Sequence, residues 1–185
     1  MDQQQLVKQC LKNNRVSQKL LYDKYKTVML GLCYRYTKSI HDAEDVLQEG
    51  FIKVFAKLKQ FKHEGELGGW IRRIMVTTAL NHLKKNTRFR DELSHNISEL
   101  HLVTSEDPQV ILNAKELAAL IRELPAGYQT IFNLHAVEGY THPEIGEMLG
   151  ITDSTSRSQY TRARVMILNR VKNYYFDYKM QAHAK

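Results

Sequence analysis

Between Tyr140 and Leu168 the chain spells out two short helices and the corner that joins them. Thr141 is a helix cap, and Glu144 three residues on completes a capping box. Pro143 falls in the first turn, where a missing N–H costs nothing. Gly150 suits the left-handed stop that ends such a helix, with Ile151 folding back over the last turn. Thr152 or Asp153 then caps a second helix. On that helix Ser156, Tyr160, Ala163 and Ile167 recur at helical spacing on one face. Arg157, Ser158, Thr161 and Arg162 fall on the other. This is the pattern of a helix-turn-helix whose second helix enters a DNA major groove. An ordinary α-hairpin satisfies the same helix signals, and it is the basic outer face that points to DNA.

The charge distribution agrees. Residues 1–85 carry 16 Lys and Arg against 8 Asp and Glu, residues 86–124 carry 4 against 7, and residues 125–185 carry 7 against 5. Two basic blocks flanking an acidic stretch suggest two nucleic-acid contacts with a connector between them, although a solvated surface accounts for a mild positive charge equally well. Cys10 and Cys33 are the only cysteines, each in a helical, half-apolar setting, so no disulfide framework is expected. No charged-then-apolar leader opens the chain and no apolar run approaches spanning length, so a reducing cytoplasm is the expected compartment.

The remaining chain reads as helix nearly throughout. A short helix is expected over 3–12. A longer one over 17–36 carries a stripe of Leu20, Leu21, Tyr25, Val28, Met29, Leu32 and Tyr36. No segment alternates with period two. Periodicity fades from Thr87 to Pro108, where Ser, Thr, Asn, Asp and Glu dominate. Helices resume over 113–124, stopped by Pro125, and over 126–137. The fold class is therefore all-α: an N-terminal helical bundle over 1–87, a flexible acidic linker over 88–111, and a C-terminal helix-turn-helix bundle over 112–185.

Two further segments carry unusual faces. In Asp42 to Phe55, Ala43, Val46, Leu47, Gly50, Phe51 and Val54 share one side, and Asp45, Gln48, Glu49 and Ile52 share the other. Acidic groups in a first turn suit the positive helix end, but an apolar Ile52 beside Gln48 and Glu49 suggests a protein docking patch. A plain solvated face remains the alternative. In the second segment a glycine-bearing loop, Phe61 to Gly69, leads into Trp70 to Lys85. There Trp70, Arg73, Thr77, Asn81 and Lys84 project within an arc of about 80°. Cations for phosphates and an amide for base edges suit melted DNA. Trp70 itself reads better as a core anchor.

These three segments, in this order, resemble the extracytoplasmic-function group of bacterial RNA polymerase sigma factors, over about Ser17 to Leu168. The likeness rests on Asp42–Phe55, Trp70-Ile71-Arg72-Arg73-Ile74, and Leu124-Pro125 through Arg164. It implies that Asp45, Gln48, Glu49 and Ile52 dock on the clamp of the polymerase's largest subunit. It implies that Phe61 and Lys62 of the loop, with Arg73, Thr77, Asn81 and Lys84, hold the −10 element as melted single strand. Thr155, Arg157, Ser158, Thr161 and Arg162 would read the −35 element as duplex, with Arg164 nearer a phosphate. The C-terminal bundle would also meet the polymerase flap. An anti-sigma partner is implied as well, with no cofactor, no metal and no enzymatic activity of the chain's own. Three departures stand out: Thr77 where the family often has Asn, Gly146 where Ala is common, and Ser156 where an apolar residue packs. The last two imply a slightly looser helix-turn-helix, and His142-Pro143 is also unusual. A dimeric repressor would explain 125–170 but leave 42–85 without purpose, and an adaptor that never touches DNA is weakened by the basic helix. A metalloenzyme is disfavoured because no metal-binding histidine spacing occurs.

Overall fold

The computed structural model describes residues 2–85, 89, 91, 93 and 113–183, with the side chains of the last helix as far as Tyr174. Among these residues there is no strand. The chain divides into two compact units, residues 1–86 and 87–185. The rest of the expected linker over 88–111, namely 88, 90, 92 and 94–111, lies outside the described residues.

The first unit is built from α1 (Gln3–Leu11), α2 (Arg15–Tyr36), α3 (Ile40–Lys57), a 3₁₀ turn (Leu58–Gln60) and α4 (Leu67–Lys84). Each of the first three helices starts on a side chain that accepts from its first turn: Asp2 from Gln5 N–H, Asn14 from Ser17 N–H, and Ser39 from Asp42 N–H. Asn13, in the left-handed region at φ 58°, turns the corner between α1 and α2. Helices α2, α3 and α4 pack on one another, and Leu21, Leu32 and Cys33 of α2, Ala43, Val46 and Val54 of α3, and Ile71, Met75 and Val76 of α4 are buried. The α3 face expected inward is inward in full.

Gly50 permits a close approach of α3 to α4, since a Cβ there would stand 2.2 Å from Met75 Sδ. Three members of the expected α2 stripe are not in the core, Tyr25 being half-buried and two others exposed. Leu20 is 49% exposed, being about 100° around the helix from Leu21. Val28 is 63% exposed, which the stripe does not explain. Cys10 and Cys33 are free, buried thiols, and burial pushes Cys33 up to about 12.

The second unit contains α5 (Ala114–Arg122), α6 (Ala126–Phe132), α7 (His142–Leu149) and α8 (Asp153–His183). Asn113 and Glu116 form a capping box at α5, and Thr141 and Glu144 form another at α7. Leu120, Ile121, Leu124 and Tyr128 pack on Ala163, Ile167 and Val171 of α8. The helix expected over 126–137 is not uniform. After Phe132 it widens into a π turn, Asn133–Val137, with Glu138 N–H donating to Asn133 C=O. No local composition signal marks such a turn. Here it releases the chain into the bend where Tyr140 N–H reaches Leu134 C=O and His135 Nδ1–H reaches Tyr140 C=O at 2.8 Å. The carbonyl can only accept, so the proton lies on Nδ1 of His135.

Candidate nucleic-acid interface

The corner between α7 and α8 is tight. Gly150 takes φ 74°, and the N–H groups of Gly150 and Ile151 both donate to Gly146 C=O, at 2.8 and 3.0 Å. Gly146 is buried, and a Cβ on it would stand 2.8 Å from the carbonyl oxygen of Ile151. Glycine at 146 therefore reflects a closer corner, not the looser one expected. Thr152, rather than Asp153, caps α8: its Oγ1 accepts from Thr155 N–H at 3.1 Å.

Along α8, Ser156, Ala163 and Ile167 are buried as expected, and Tyr160 is half-buried. Tyr160 belongs to an aromatic group with Phe132, His135 and His142, the two histidine rings stacking at 4.2 Å between centroids. His142 Nδ1 lies 2.9 Å from Ser156 Oγ. Ser156, noted as a departure, and the unusual His142 are thus partners, and the hydroxyl occupies the space an apolar side chain would fill.

Outward, Arg157 is held by Asp153 one turn back through two hydrogen bonds, Nε to Oδ1 at 3.0 Å and Nη2 to Oδ2 at 2.8 Å. This pair keeps the Asp153 carboxyl below the usual carboxylate range. Both partners are well exposed, so the pair is easily exchanged for another anion. Ser158 and Thr161 donate their hydroxyls to backbone carbonyls of Thr155 and Arg157, which fixes their rotamers and leaves lone pairs outward. Arg164 is exposed and Thr155 half-exposed. Arg162 departs from the expected face. It is half-buried, with Nη1 enclosed and lacking a partner among the described residues. Gln159, which sequence spacing left unassigned, is buried and donates Nε2–H to Leu93 C=O at 2.8 Å.

In the first unit, Trp70, Arg73, Thr77 and Asn81 line a cleft of about 380 Å³ together with Lys53, Lys57 and Gln60 from the end of α3 and its 3₁₀ turn. The α4 row was legible from its spacing. The two lysines opposite it were not, because they come from another helix. Lys53 Nζ sits 2.6 Å from Glu49 Oε1 and 3.4 Å from Thr78 Oγ1, so it is anchored at the cleft's edge. Lys84 is half-buried and does not line this cleft. Lys62 is exposed on the loop.

Phe61, expected to help hold the melted strand, is buried beneath the loop. Its ring packs 5.6 Å from Trp70 and 4.8 Å from His63. Trp70 is half-exposed, so one side supports Phe61 while another borders the cleft. On the outer face of α3, Asp45 and Gln48 are exposed and Ile52 is 69% exposed, an apolar side chain in a polar field. Glu49 is half-buried and paired with Lys53, which holds its carboxyl below the usual range. Among the described residues no cluster of His, Cys, Asp or Glu could hold a metal, and no helix is long and apolar enough to cross a membrane.

The chain matches the family model for sigma-70 region 2 over residues 21–89 and that for sigma-70 region 4 over residues 114–167. It is 30% identical to the ECF RNA polymerase sigma-E factor of Haemophilus influenzae, over 91% of this chain and 95% of that protein. Identity to the ECF sigma factor SigW of Bacillus subtilis is 26%, over 90% and 95% of the two chains. Two solved structures share the fold at 18% identity. One is CnrH in complex with the cytosolic domain of CnrY, with a TM-score of 0.50 over 91% of this chain and 96% of that one. The other is the sigma factor RpoE of Bartonella quintana in complex with the anti-sigma factor NepR, with a TM-score of 0.52 over 83% and 96%. With both sigma regions matched in order and near full-length likeness to such factors, the chain belongs to the extracytoplasmic-function sigma factors, which direct transcription initiation.

Proposed function

We propose that the two units read two promoter elements in different states. The second reads the −35 element as duplex, through Thr155, Arg157, Ser158, Thr161, Arg162 and Arg164. The first holds the melted −10 strand in the cleft of Arg73, Thr77 and Asn81. Lys62 and Lys84 lie nearby in sequence, and Phe61 acts from beneath the loop. The observation that carries this reading is the division of α8 into a buried row and an outward row that includes an exposed, exchangeable Arg157. Arginine in the major groove recognises guanine through two hydrogen bonds. The lysine-edged cleft supports the single-strand part, because phosphates need cations beside them.

Asp45, Gln48, Glu49 and Ile52 would dock on core polymerase, with the C-terminal bundle meeting the flap. Exposure of Ile52 supports that surface. Each DNA module is small, so free protein would bind promoters weakly until polymerase fixes the spacing of the two contacts. Chemistry at the start site would belong to the polymerase, with no catalytic group or cofactor needed from this chain, and the setting would be the cytoplasm. A fold shared with RpoE, solved with the anti-sigma factor NepR, supports an anti-sigma partner here too. Run-off transcription on a genomic promoter library, with core polymerase and with or without this protein, tests the reading. New start sites that share two spaced elements are expected. Failure to bind core enzyme, or binding without redirecting start sites, rejects it.

A further inference from the structure

One contact in the second unit has no role in the reading above. Gln159 is 1% exposed, and its Nε2–H donates to the carbonyl of Leu93, 66 residues earlier in the chain. Leu93 is 5% exposed and Phe89, one helical turn before it, is 2% exposed. Two residues at the start of the stretch expected to be a flexible acidic linker are therefore packed. Leu93 lines an open cleft of about 530 Å³ with Pro143, Gly150, Thr152, Asp153 and Thr155. Thr155 belongs to the proposed reading row, so Leu93 stands at the rim of the surface a duplex would approach.

The chemistry of the covered edge is incomplete. Thr155, Gln159 and Arg162 follow one another at offsets of four and three, and so form one stripe along the flank of α8. Gln159 uses one end of its amide on Leu93, while its Oε1 is enclosed without a partner among the described residues, and so is Nη1 of Arg162. A glutamine amide left half-satisfied in a dry site is a costly arrangement. An adenine edge in the major groove offers an acceptor and a donor together, which would satisfy both ends of the amide. The linker carbonyl satisfies only one.

We infer that Leu93, with Phe89 one turn before it, forms a displaceable strap over the flank of the reading helix, and that duplex DNA replaces it, freeing Gln159 to read a base. This rests on the proposal that α8 reads duplex. The free protein then carries a covered edge, a second reason for weak DNA binding besides the small size of each module.

The test uses the full chain and a duplex carrying the −35 element selected by the transcription assay. Leu93→Glu, which disfavours burial of the strap, should bind that duplex about 5–10-fold more tightly than the parent chain. Leu93→Ser should give a smaller gain in the same direction. Adding Gln159→Ala to Leu93→Glu should cancel most of the gain and relax preference at one base pair. Thermal melts identify any variant that has lost its fold. Amide exchange on the unaltered chain is an independent readout, and exchange at Phe89 and Leu93 should speed up when duplex is added. Equal affinity of the parent and both Leu93 variants, or unchanged or greater protection of those amides on DNA, overturns the strap. Arg157→Ala in the parent and Leu93→Glu backgrounds separates the two ideas. If it weakens duplex binding while the strap tests fail, only the strap is lost. If it changes nothing in either background, the reading helix is misassigned and this inference falls with it.

Discussion

His142 Nδ1 lies 2.9 Å from Ser156 Oγ, joining the first turn of one helix of the helix-turn-helix to the buried row of the other. Each residue alone looks like a defect, a histidine at a helix start and a hydroxyl in an apolar position. Together they satisfy one another. Ser156→Val should therefore destabilise the second unit in this background, by about 1 kcal/mol, because it strips a partner from a half-buried imidazole. Adding a change of His142 to Phe should recover part of that loss. A double-mutant cycle read by urea denaturation checks this, and strict additivity would show that the two side chains do not interact.

The same histidine sets a pH dependence. Withdrawal from water lowers its pKa from the ordinary 6.5, and the neighbouring His135 and Arg157 lower it further, against an opposing pull from Asp153. Tyr160 packs on the pair from α8. A lowered pKa means that the unfolded chain binds the proton more readily than the folded one. Stability is then complete above about pH 6.5 and falls as pH drops through 6.5 toward the folded value. The Asp153 carboxyl, also lowered, contributes above its ordinary 3.8 and is lost only in stronger acid. Melting temperature followed from pH 7.5 to 5.5 should decline below about 6.5. His142→Gln should flatten that decline.

Gly146→Ala should destabilise the unit by roughly 1–3 kcal/mol, because the new methyl meets the Ile151 carbonyl, a backbone atom that cannot swing aside. Gly50→Ala in the first unit meets Met75 Sδ, a side-chain atom, but one in a fully buried chain with little room to move. Its cost should be of the same order, and Met75→Ala should relieve part of it. Thermal denaturation of the two single variants and the double variant decides the matter.

What could be read from sequence was whatever is decided within a turn or two of helix. The Thr141–Glu144 box, the Gly150 stop and the buried face of α3 depend on neighbours in sequence, and each appears where spacing put it. What could not be read depends on distant partners. Phe61 looks like a loop residue until Trp70 covers it. Lys53 and Lys57 look like solvated charges until α4 is laid beside them. The π turn after Phe132 leaves no composition mark because it is a matter of hydrogen-bond register. Arg162 counted as outward by angle, yet its flank is half enclosed. Gln159 fell between the two faces of α8, and its partner lies outside the helix altogether.

Arg157→Ala should leave folding nearly untouched, since its pair with Asp153 is exposed, and should weaken −35 duplex binding by roughly 1–3 kcal/mol. Fluorescence anisotropy with the matched duplex and a base-substituted one distinguishes base readout from phosphate contact. Loss of affinity without loss of preference would assign Arg157 to the backbone.

Glu49→Lys places two lysines at i and i+4 in place of an ion pair, and inverts the charge beside Ile52. Like charges at that spacing cost a few tenths of a kcal/mol of helix stability, too little to unfold the unit. Association with core polymerase should fall at least tenfold while duplex affinity stays level or rises. Unimpaired association would move the docking surface off this face.

Lys57 offers the cleanest probe of the single-strand cleft. It is exposed, and it lines the cleft together with Arg73 and Asn81 of α4. If its ammonium neutralises one phosphate of a melted strand, removing it eliminates about one released counterion, whatever the sequence bound. Lys57→Ala should then weaken promoter opening by the polymerase complex uniformly across promoters. It should also reduce the slope of log affinity against log salt by about 0.7, the value for one contact on a single strand. Asn81→Ala should leave that slope alone and change base preference instead, because an amide carries no charge to screen. Measuring open-complex formation across a salt series for both variants separates the two roles. An unchanged slope for Lys57→Ala would place the strand somewhere other than this cleft.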